Sequence, residues 1–253
     1  MAGHIGEEYA GVAPLPLTKH DAAFSLELAN ADHRLQALAD RLADLGSDKA
    51  VSLCLFGPPG TGKSAFVRHL AERMAMPVLH KRASDLISMW LGESEANIAA
   101  AFAEARAEGA FLIFDEADSL LADRAGAQHS WEVSQVNEML TWMESHDLPF
   151  ACTTNLMDRL DPASLRRFTF KVRFGFLHRD QVEKAFERFF GLEAPARVRS
   201  MDMLTPGDFA VVRRRANLLG FGADPDALAA ALAQEAAAKP QASKPIGFNA
   251  VNG

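Results

Sequence analysis

The chain has 253 residues, of which 49% are hydrophobic and 23% are charged, so it can bury the core of one large or two small domains. Its formal net charge of −7 argues against a protein that coats nucleic acid through a basic surface. Without a long apolar stretch, we expect no membrane-spanning helix. Cys54 and Cys152 stand in apolar runs, which predicts reduced core thiols in a cytoplasmic protein.

Short apolar strands and amphipathic helices alternate up to residue 176. The predicted strands are 51–56, 77–82, 110–114, 149–154 and 168–174. The predicted helices are 31–45, 63–74, 94–108 and 131–144. Alternating strands and helices predict right-handed crossovers, and therefore an α/β fold with a parallel five-stranded sheet flanked by helices.

Only helical segments follow, at about 178–190, 207–218 and 226–238. The leader lacks the basic and long apolar regions of a signal peptide. We therefore predict four parts: a leader at 1–29, an α/β nucleotide-binding domain at 30–176, a small helical lid at 177–240 and a flexible tail at 241–253.

A glycine-rich loop, "GPPGTGKS", separates the first predicted strand from the next helix. This is the context that the phosphate-binding pattern G-x-x-x-x-G-K-S requires. Its backbone N–H groups and the helix N-terminus can cradle the phosphates of ATP. Lys63 can reach the outer phosphates, and the Ser64 hydroxyl can bind Mg²⁺. The predicted nucleotide contacts here are Gly57, Pro58, Pro59, Gly60, Thr61, Gly62, Lys63, Ser64 and Ala65.

Two carboxylates end the third predicted strand, in "FLIFDEAD". In a parallel sheet this edge is where ligands bind. We assign Asp115 to hydrated Mg²⁺ and Glu116 to accepting a proton from the attacking water. The same letters spell the signature of DEAD-box RNA helicases, but one sheet's worth of strands and an acidic balance disfavour a helicase.

Between about residues 51 and 220, "GPPGTGKS", "SMWLGESEANIAAAFAEA", "FLIFDEAD", "TTN" and "LDPASLRRF" occur in one order. In these motifs the chain resembles the AAA+ ATPases, and within them the classical AAA clade of protein-remodelling motors. The resemblance implies a P-loop NTPase fold and a homo-oligomeric ring, usually hexameric. The chain departs from the clade, since it lacks the Asp-Ile-Gly-Gly stretch that touches adenine in that clade.

The resemblance assigns roles to several further residues. Asn155 corresponds to the sensor that orients the lytic water, or is otherwise a turn residue at a strand end. Arg166 and Arg167 correspond to arginine fingers that reach the neighbouring subunit's nucleotide, or are otherwise a solvated pair at a helix end. Gly207, at the start of a lid helix, would lie near adenine.

The stretch "SMWLGESE" resembles the family's first pore loop. There Met89, Trp90 and Leu91 would grip a polypeptide in the central channel. The alternative is that these three side chains pack beneath the helix at 94–108. We predict Trp131 to be a core residue, and the lid arginines at 213–215 to form a solvated helix face rather than to contact phosphate.

These patterns predict Mg²⁺-dependent ATP hydrolysis that drives the threading or remodelling of a protein substrate through an oligomeric ring. Two alternatives are an ATPase that loads or remodels nucleic acid, and an ATP-dependent assembly switch that does not translocate a substrate. Nucleic acid is the less favoured partner because the sequence lacks a basic groove interleaved with aromatic residues.

Overall fold

A computed structural model of the chain describes residues 24–46, 50–90, 92–127 and 129–239. These residues form a six-stranded sheet in the spatial order β1-β6-β2-β5-β4-β3. The strands are β1 (Asn30–Ala31), β2 (Ser52–Phe56), β3 (Val78–Arg82), β4 (Phe111–Asp115), β5 (Phe150–Thr154) and β6 (Phe170–Gly175). Strands β2 to β6 are mutually parallel, and β1 pairs antiparallel with β6. The predicted α/β fold is confirmed, with one short antiparallel strand added.

Helices cover both faces of this sheet and continue beyond it. They are α1 (Leu35–Leu45), α2 (Lys63–Arg73), α3 (Ala83–Leu86), α4 (Glu93–Glu108), α5 (Ser130–Ser145), α6 (Pro162–Arg167), α7 (Arg179–Phe190), α8 (Pro206–Leu219) and α9 (Pro225–Ala237). The predicted helix ranges did not include α3 and α6, which are too short to show a helical period, although one reading of Arg166 and Arg167 placed them at a helix end. Asp161 caps α6 by accepting hydrogen bonds from the N–H groups of Ala163 and Ser164.

The sheet is buried between two apolar layers. On one face Phe102 of α4 packs on Phe114 of β4, with ring centroids 5.2 Å apart. On the other face Phe66 of α2 packs on Phe174 of β6 at 6.1 Å. Cys54 and Cys152 are free, buried and opposite each other on β2 and β5, and burial raises the pKa of the Cys54 thiol to about 12. The predicted core thiols are confirmed.

Helices α7, α8 and α9 form a third apolar cluster of their own, around Phe186, Phe209 and Leu232. Residues 24–29, which the sequence analysis placed in the leader, contact two of the three clusters: Phe24 packs on Phe66 of the sheet domain, and Leu28 lies in the helical cluster. Within the described part of the chain, no helix is long and apolar enough to cross a membrane. The rest of the predicted leader, the last residue of the predicted lid at 240 and the predicted tail at 241–253 lie outside the described residues.

The strand order brings three polar segments to one edge of the sheet. The phosphate loop follows β2, Asp115 ends β4, and Asn155 follows β5. Strand β5 lies between β2 and β4. Since the strands are parallel, their carboxyl ends meet at this edge, where ligands bind in open α/β sheets.

Candidate active site

The phosphate loop folds around the ammonium group of Lys63. Gly62 has φ 96°, a left-handed conformation that suits glycine, and it turns the chain into α2. The Lys63 Nζ atom donates hydrogen bonds to the carbonyl oxygens of Gly57 at 2.8 Å and Pro58 at 3.0 Å. It also donates to Asn155 Oδ1 at 2.8 Å. The loop is therefore closed around its own lysine.

Lys63 is a buried cation whose hydrogen-bond acceptors, among the described residues, are neutral oxygens. Its exposed fraction is 8%, and burial lowers its pKa to about 8 although the charges of Asp115 and Asp118 oppose that shift. A buried amine with neutral acceptors is under-compensated, and an anion at the loop would stabilise its charged form. This environment fits the phosphates of a nucleotide.

The Asp115 carboxylate is held by donors from three elements. Ser64 Oγ donates to its Oδ1 atom at 3.0 Å, Thr153 Oγ1 donates to the same oxygen, and His80 Nε2 donates to Oδ2 at 3.2 Å. Burial favours the neutral acid, but these hydrogen bonds outweigh burial and keep the pKa of Asp115 below its ordinary value. A hydroxyl and an ionised carboxylate are hard oxygen donors of the kind that Mg²⁺ prefers. Ser64 and Asp115 thus fit the predicted metal.

Glu116 and Asn155 border the same cavity, which has a volume of about 300 Å³. Glu116 is exposed and has φ 56°, an uncommon backbone conformation for a residue other than glycine. Such strain is found at functional sites, where it sets the direction of a side chain. Most of the residues predicted to hold nucleotide and metal or to act on the attacking water meet here; the cavity is lined by Pro59, Gly60, Gly62, Lys63, Ser64, Ala65, Asp115, Glu116, Thr153, Thr154 and Asn155.

A second cavity, of about 310 Å³, lies between the phosphate loop and the helical cluster. The Gly207 N–H donates to the Gly60 carbonyl oxygen at 3.0 Å, and a Cβ atom on Gly207 would lie 2.9 Å from the Cα atom of Gly60. Only glycine permits this approach. Phe24 and Phe189 give the cavity two aromatic walls. Unlike the first cavity, it is not lined by Asp115 or Glu116, and Thr61 lines it.

The two candidate arginine fingers lie on α6, and neither lines a cavity at the phosphate loop. Arg167 is anchored, since it forms an ion pair with Glu144 at 2.6 Å and donates to the Ala163 carbonyl oxygen at 3.0 Å. Arg166 is exposed. The structure therefore distinguishes two adjacent residues that the sequence left equivalent.

The loop between α3 and α4 presents large apolar side chains to solvent. Met89 is 90% exposed and Trp90 is 71% exposed, so they do not pack beneath α4. The base of the loop is fixed, because the Ser88 N–H donates to Ser94 Oγ at 2.9 Å. Leu91 lies outside the described residues.

The prediction that Trp131 is a core residue was wrong. Its side chain is 45% exposed and stacks on His129, with ring centroids 5.6 Å apart. It borders the same open cavity of about 470 Å³ as Met89 and Trp90. The first turn of α5 therefore lies beside the exposed loop, and the indole faces that opening instead of the sheet.

The predicted solvated arginine face of α8 was also wrong in part. Arg213 is buried, whereas Arg214 is exposed. Arg215 forms an ion pair with Glu235 of α9. None of the three lines a cavity at the phosphate loop among the described residues.

Sequence reasoning missed two residues that hold Asp115. Thr153 stands in the quoted "TTN" segment, and its place one strand away from Asp115 was a usable signal. His80 gave no such signal, since it is one polar residue in a strand with three of them. Only the pairing of β3 with β4 brings it to the carboxylate.

Comparison with known sequences agrees with this geometry. Residues 53–176 match the family described as the ATPase family associated with various cellular activities, abbreviated AAA. Residues 53–176 are an AAA domain. The predicted family is thereby confirmed, and with it the assignment of this domain as an ATPase that binds ATP.

Several curated AAA proteins are similar to this chain. The peroxisomal ATPase PEX6 of Arabidopsis thaliana is 32% identical over 190 residues, which is 70% of this chain and 20% of that protein. The ATP-dependent zinc metalloprotease FtsH 2 of Sorangium cellulosum is 31% identical over 224 residues, covering 85% of this chain and 36% of that protein. The 26S proteasome regulatory subunit 6B homolog of Saccharomyces cerevisiae is 32% identical over 186 residues, covering 70% and 42%. The chain thus spans less than half the length of each.

Proposed function

We propose that this AAA domain hydrolyses ATP with Mg²⁺ and uses the energy to thread or remodel a polypeptide through a ring of identical subunits. The observation that carries the proposal is the pairing of two features in one chain. One is a cavity lined by Lys63, Ser64 and Asp115, which would hold phosphate and Mg²⁺, and the other is a loop that exposes Met89 and Trp90. The names of the similar proteins, which include a metalloprotease and a proteasome subunit, support a protein substrate.

Each residue of the fixed site has a definite task in this proposal. Lys63 leaves its carbonyl acceptors for the outer phosphates and neutralises their charge. Ser64 and Asp115 would hold Mg²⁺, which supplies charge stabilisation between the phosphates. Glu116 takes a proton from water as general base, and Asn155 orients that water once Lys63 has released its amide oxygen.

The cavity beside the lid suits the adenine ring. Its aromatic walls Phe24 and Phe189 can stack on a base, and Thr61 and Gly207 also line it. This arrangement offers contacts for adenine where the usual clade motif is missing. Because the cavity joins the sheet domain to the lid, nucleotide release would change how the two pack.

A second copy of the chain is proposed to complete the site. Arg166 is exposed and lines neither loop cavity of its own subunit, so we assign it as the finger that reaches a neighbour's phosphates. Arg167 holds α6 to α5 through Glu144 and so positions the finger. This contact is head-to-tail, and repeated contacts of that kind close into a ring, here proposed to be a hexamer.

The polypeptide is proposed to bind the exposed apolar surface. Trp90 and Met89 offer a large and adaptable contact area without sequence preference. Trp131 extends this surface on the neighbouring helix, across the shared opening. Side chains of almost any unfolded segment could be held there.

Light scattering of the Glu116→Gln variant tests the proposal, since this variant should bind ATP without consuming it. With ATP and Mg²⁺ its mass should rise from that of a monomer to that of a closed ring, and it should return when nucleotide is removed. A mass that never changes with nucleotide would contradict the ring.

A further inference from the structure

The side chain of His80, on the edge strand β3, contacts the Asp115 carboxylate. Strand β3 pairs in parallel with β4, and His80 lies opposite Ile113, two positions before Asp115. Its Nε2 atom is 3.2 Å from Asp115 Oδ2. The two side chains are only about a quarter exposed, at 28% and 25%, so water competes poorly for this contact.

The two oxygens of the Asp115 carboxylate have different donors. Ser64 and Thr153 both donate to Oδ1. Among the described side chains, His80 is the one that donates to Oδ2. An ionised carboxylate accepts and cannot donate, so the Nε2–H of His80 is the donor in this pair. Donors on both oxygens fix the rotation of the carboxylate, which donors on one oxygen alone do not.

We propose that His80 is a positioning residue that orients Asp115 and thereby strengthens Mg²⁺ binding at the nucleotide site. The proposal rests on the proposed function, since it presupposes that Asp115 serves the metal. Hydrogen bonds to metal-binding carboxylates set ligand direction, and their loss typically weakens metal affinity by about 10- to 100-fold. His80 itself touches neither nucleotide nor metal in this account.

The test uses variants that keep or remove the donor at the reach of Nε2. In His80→Gln an amide N–H extends about as far as Nε2, whereas the shorter amide of His80→Asn stays polar and falls short. Lys81→Met is the matched control, because Lys81 lies on the same strand and pairs with Glu104. Each protein is titrated with Mg²⁺ in the presence of a fluorescent ATP analogue, and the concentration at half-maximal binding is recorded. Binding in EDTA is measured separately.

In His80→Asn the Mg²⁺ midpoint should rise by about tenfold, with binding in EDTA unchanged. His80→Gln should stay close to the wild-type midpoint, and so should Lys81→Met. The inference is overturned if His80→Asn keeps the wild-type midpoint, if both His80 variants shift equally, or if the analogue binds more weakly in EDTA by the same factor.

Failure of the proposed function gives a different result. If the wild-type protein itself binds the analogue equally well with Mg²⁺ and in EDTA, then the metal site is wrong and His80 has nothing to position. A clear Mg²⁺ dependence in the wild type, combined with an unmoved His80→Asn midpoint, rejects the role of His80 alone.

Discussion

The phosphate loop and the loop between α3 and α4 are built in opposite ways. Lys63 is 8% exposed and makes hydrogen bonds to three acceptors, whereas Trp90 is 71% exposed and Met89 is 90% exposed. In the first loop Lys63 is as buried as a core residue, although its side chain can carry a charge. The second holds apolar surface in water, which a folded chain seldom does without a partner.

The difference matches the two proposed tasks, which are phosphoryl transfer at the first loop and the holding of a polypeptide at the second. Phosphoryl transfer depends on charges held in fixed positions, which fits the buried and hydrogen-bonded ammonium group of Lys63. Holding an unfolded polypeptide requires accessible surface without fixed geometry. Changes at the first loop should therefore alter the rate of hydrolysis, and changes at the second should alter the handling of substrate.

The largest effect is expected outside both loops, at Arg166. Replacing it by alanine should lower the rate of ATP hydrolysis by about 10³-fold, the typical contribution of an arginine finger. Arg167→Ala should lower the rate of hydrolysis less, because it removes the ion pair that holds α6 to α5 and not the finger itself. The control is Arg41→Ala on α1, another exposed arginine. Equal rates for Arg166→Ala and the control would remove the trans contact from the account.

Glu116→Gln should lower hydrolysis by about 10²-fold or more, since the amide cannot accept a proton from water. Affinity for ATP should stay near the wild-type value, because the amide keeps the size of the carboxylate. Steady-state hydrolysis and binding of a fluorescent ATP analogue measure the two quantities. Loss of binding with little change in turnover would show that Glu116 contacts the nucleotide instead of the water.

Trp90→Ala should sharpen the comparison at the exposed loop. Removing this anchor should slow ATP-dependent unfolding of a fluorescent protein carrying an unstructured tail by about tenfold, as expected for a central aromatic contact. The matched control is Leu218→Ala on α8, since Leu218 is 78% exposed and belongs to the lid. ATP binding reports that each variant is folded. If both variants unfold the probe at one rate, Trp90 has no special contact with substrate.

The smallest expected effect is on the stability of the fold, and it arises outside both loops. His146 is buried against Phe102, and neither of its ring nitrogens has a hydrogen-bond partner among the described residues. Burial, assisted by the charge of Arg106, holds the pKa of His146 below its ordinary value. The folded state therefore resists protonation, and the free energy of unfolding should fall as the pH decreases below about 6.5, where the unfolded chain takes up the proton.

His146→Leu should abolish that part of the acid sensitivity. It should also raise the free energy of unfolding at neutral pH by about 1 kcal/mol, because an unsatisfied buried polar group is exchanged for an apolar one. Urea unfolding at pH 5 and pH 8 measures both effects. Identical pH dependence in the variant and the wild type would show that the imidazole is solvated in the native state.

The sequence predicted the sheet, and the polar motifs that meet at one of its edges, because both depend on local patterns. Strand β4 is apolar up to Asp115, and the phosphate loop has a fixed spacing, so each can be recognised without knowledge of the rest of the chain. The prediction that Trp131 is a core residue was wrong because the first turn of a helix is too short to show which of its faces is buried. The role of His80 and the difference between Arg166 and Arg167 depend on contacts with other elements, which one segment does not contain.

Mixing two inactive variants tests the central claim most directly, which is that one subunit completes the nucleotide site of the next. Glu116→Gln subunits keep Arg166 but lack the base, and Arg166→Ala subunits keep the base but lack the finger. A mixture should hydrolyse ATP well above the sum of the separate rates, because each Arg166→Ala subunit beside a Glu116→Gln neighbour regains a complete site. A mixture that never exceeds that sum, together with an Arg166→Ala protein that hydrolyses ATP at the wild-type rate, would contradict the account.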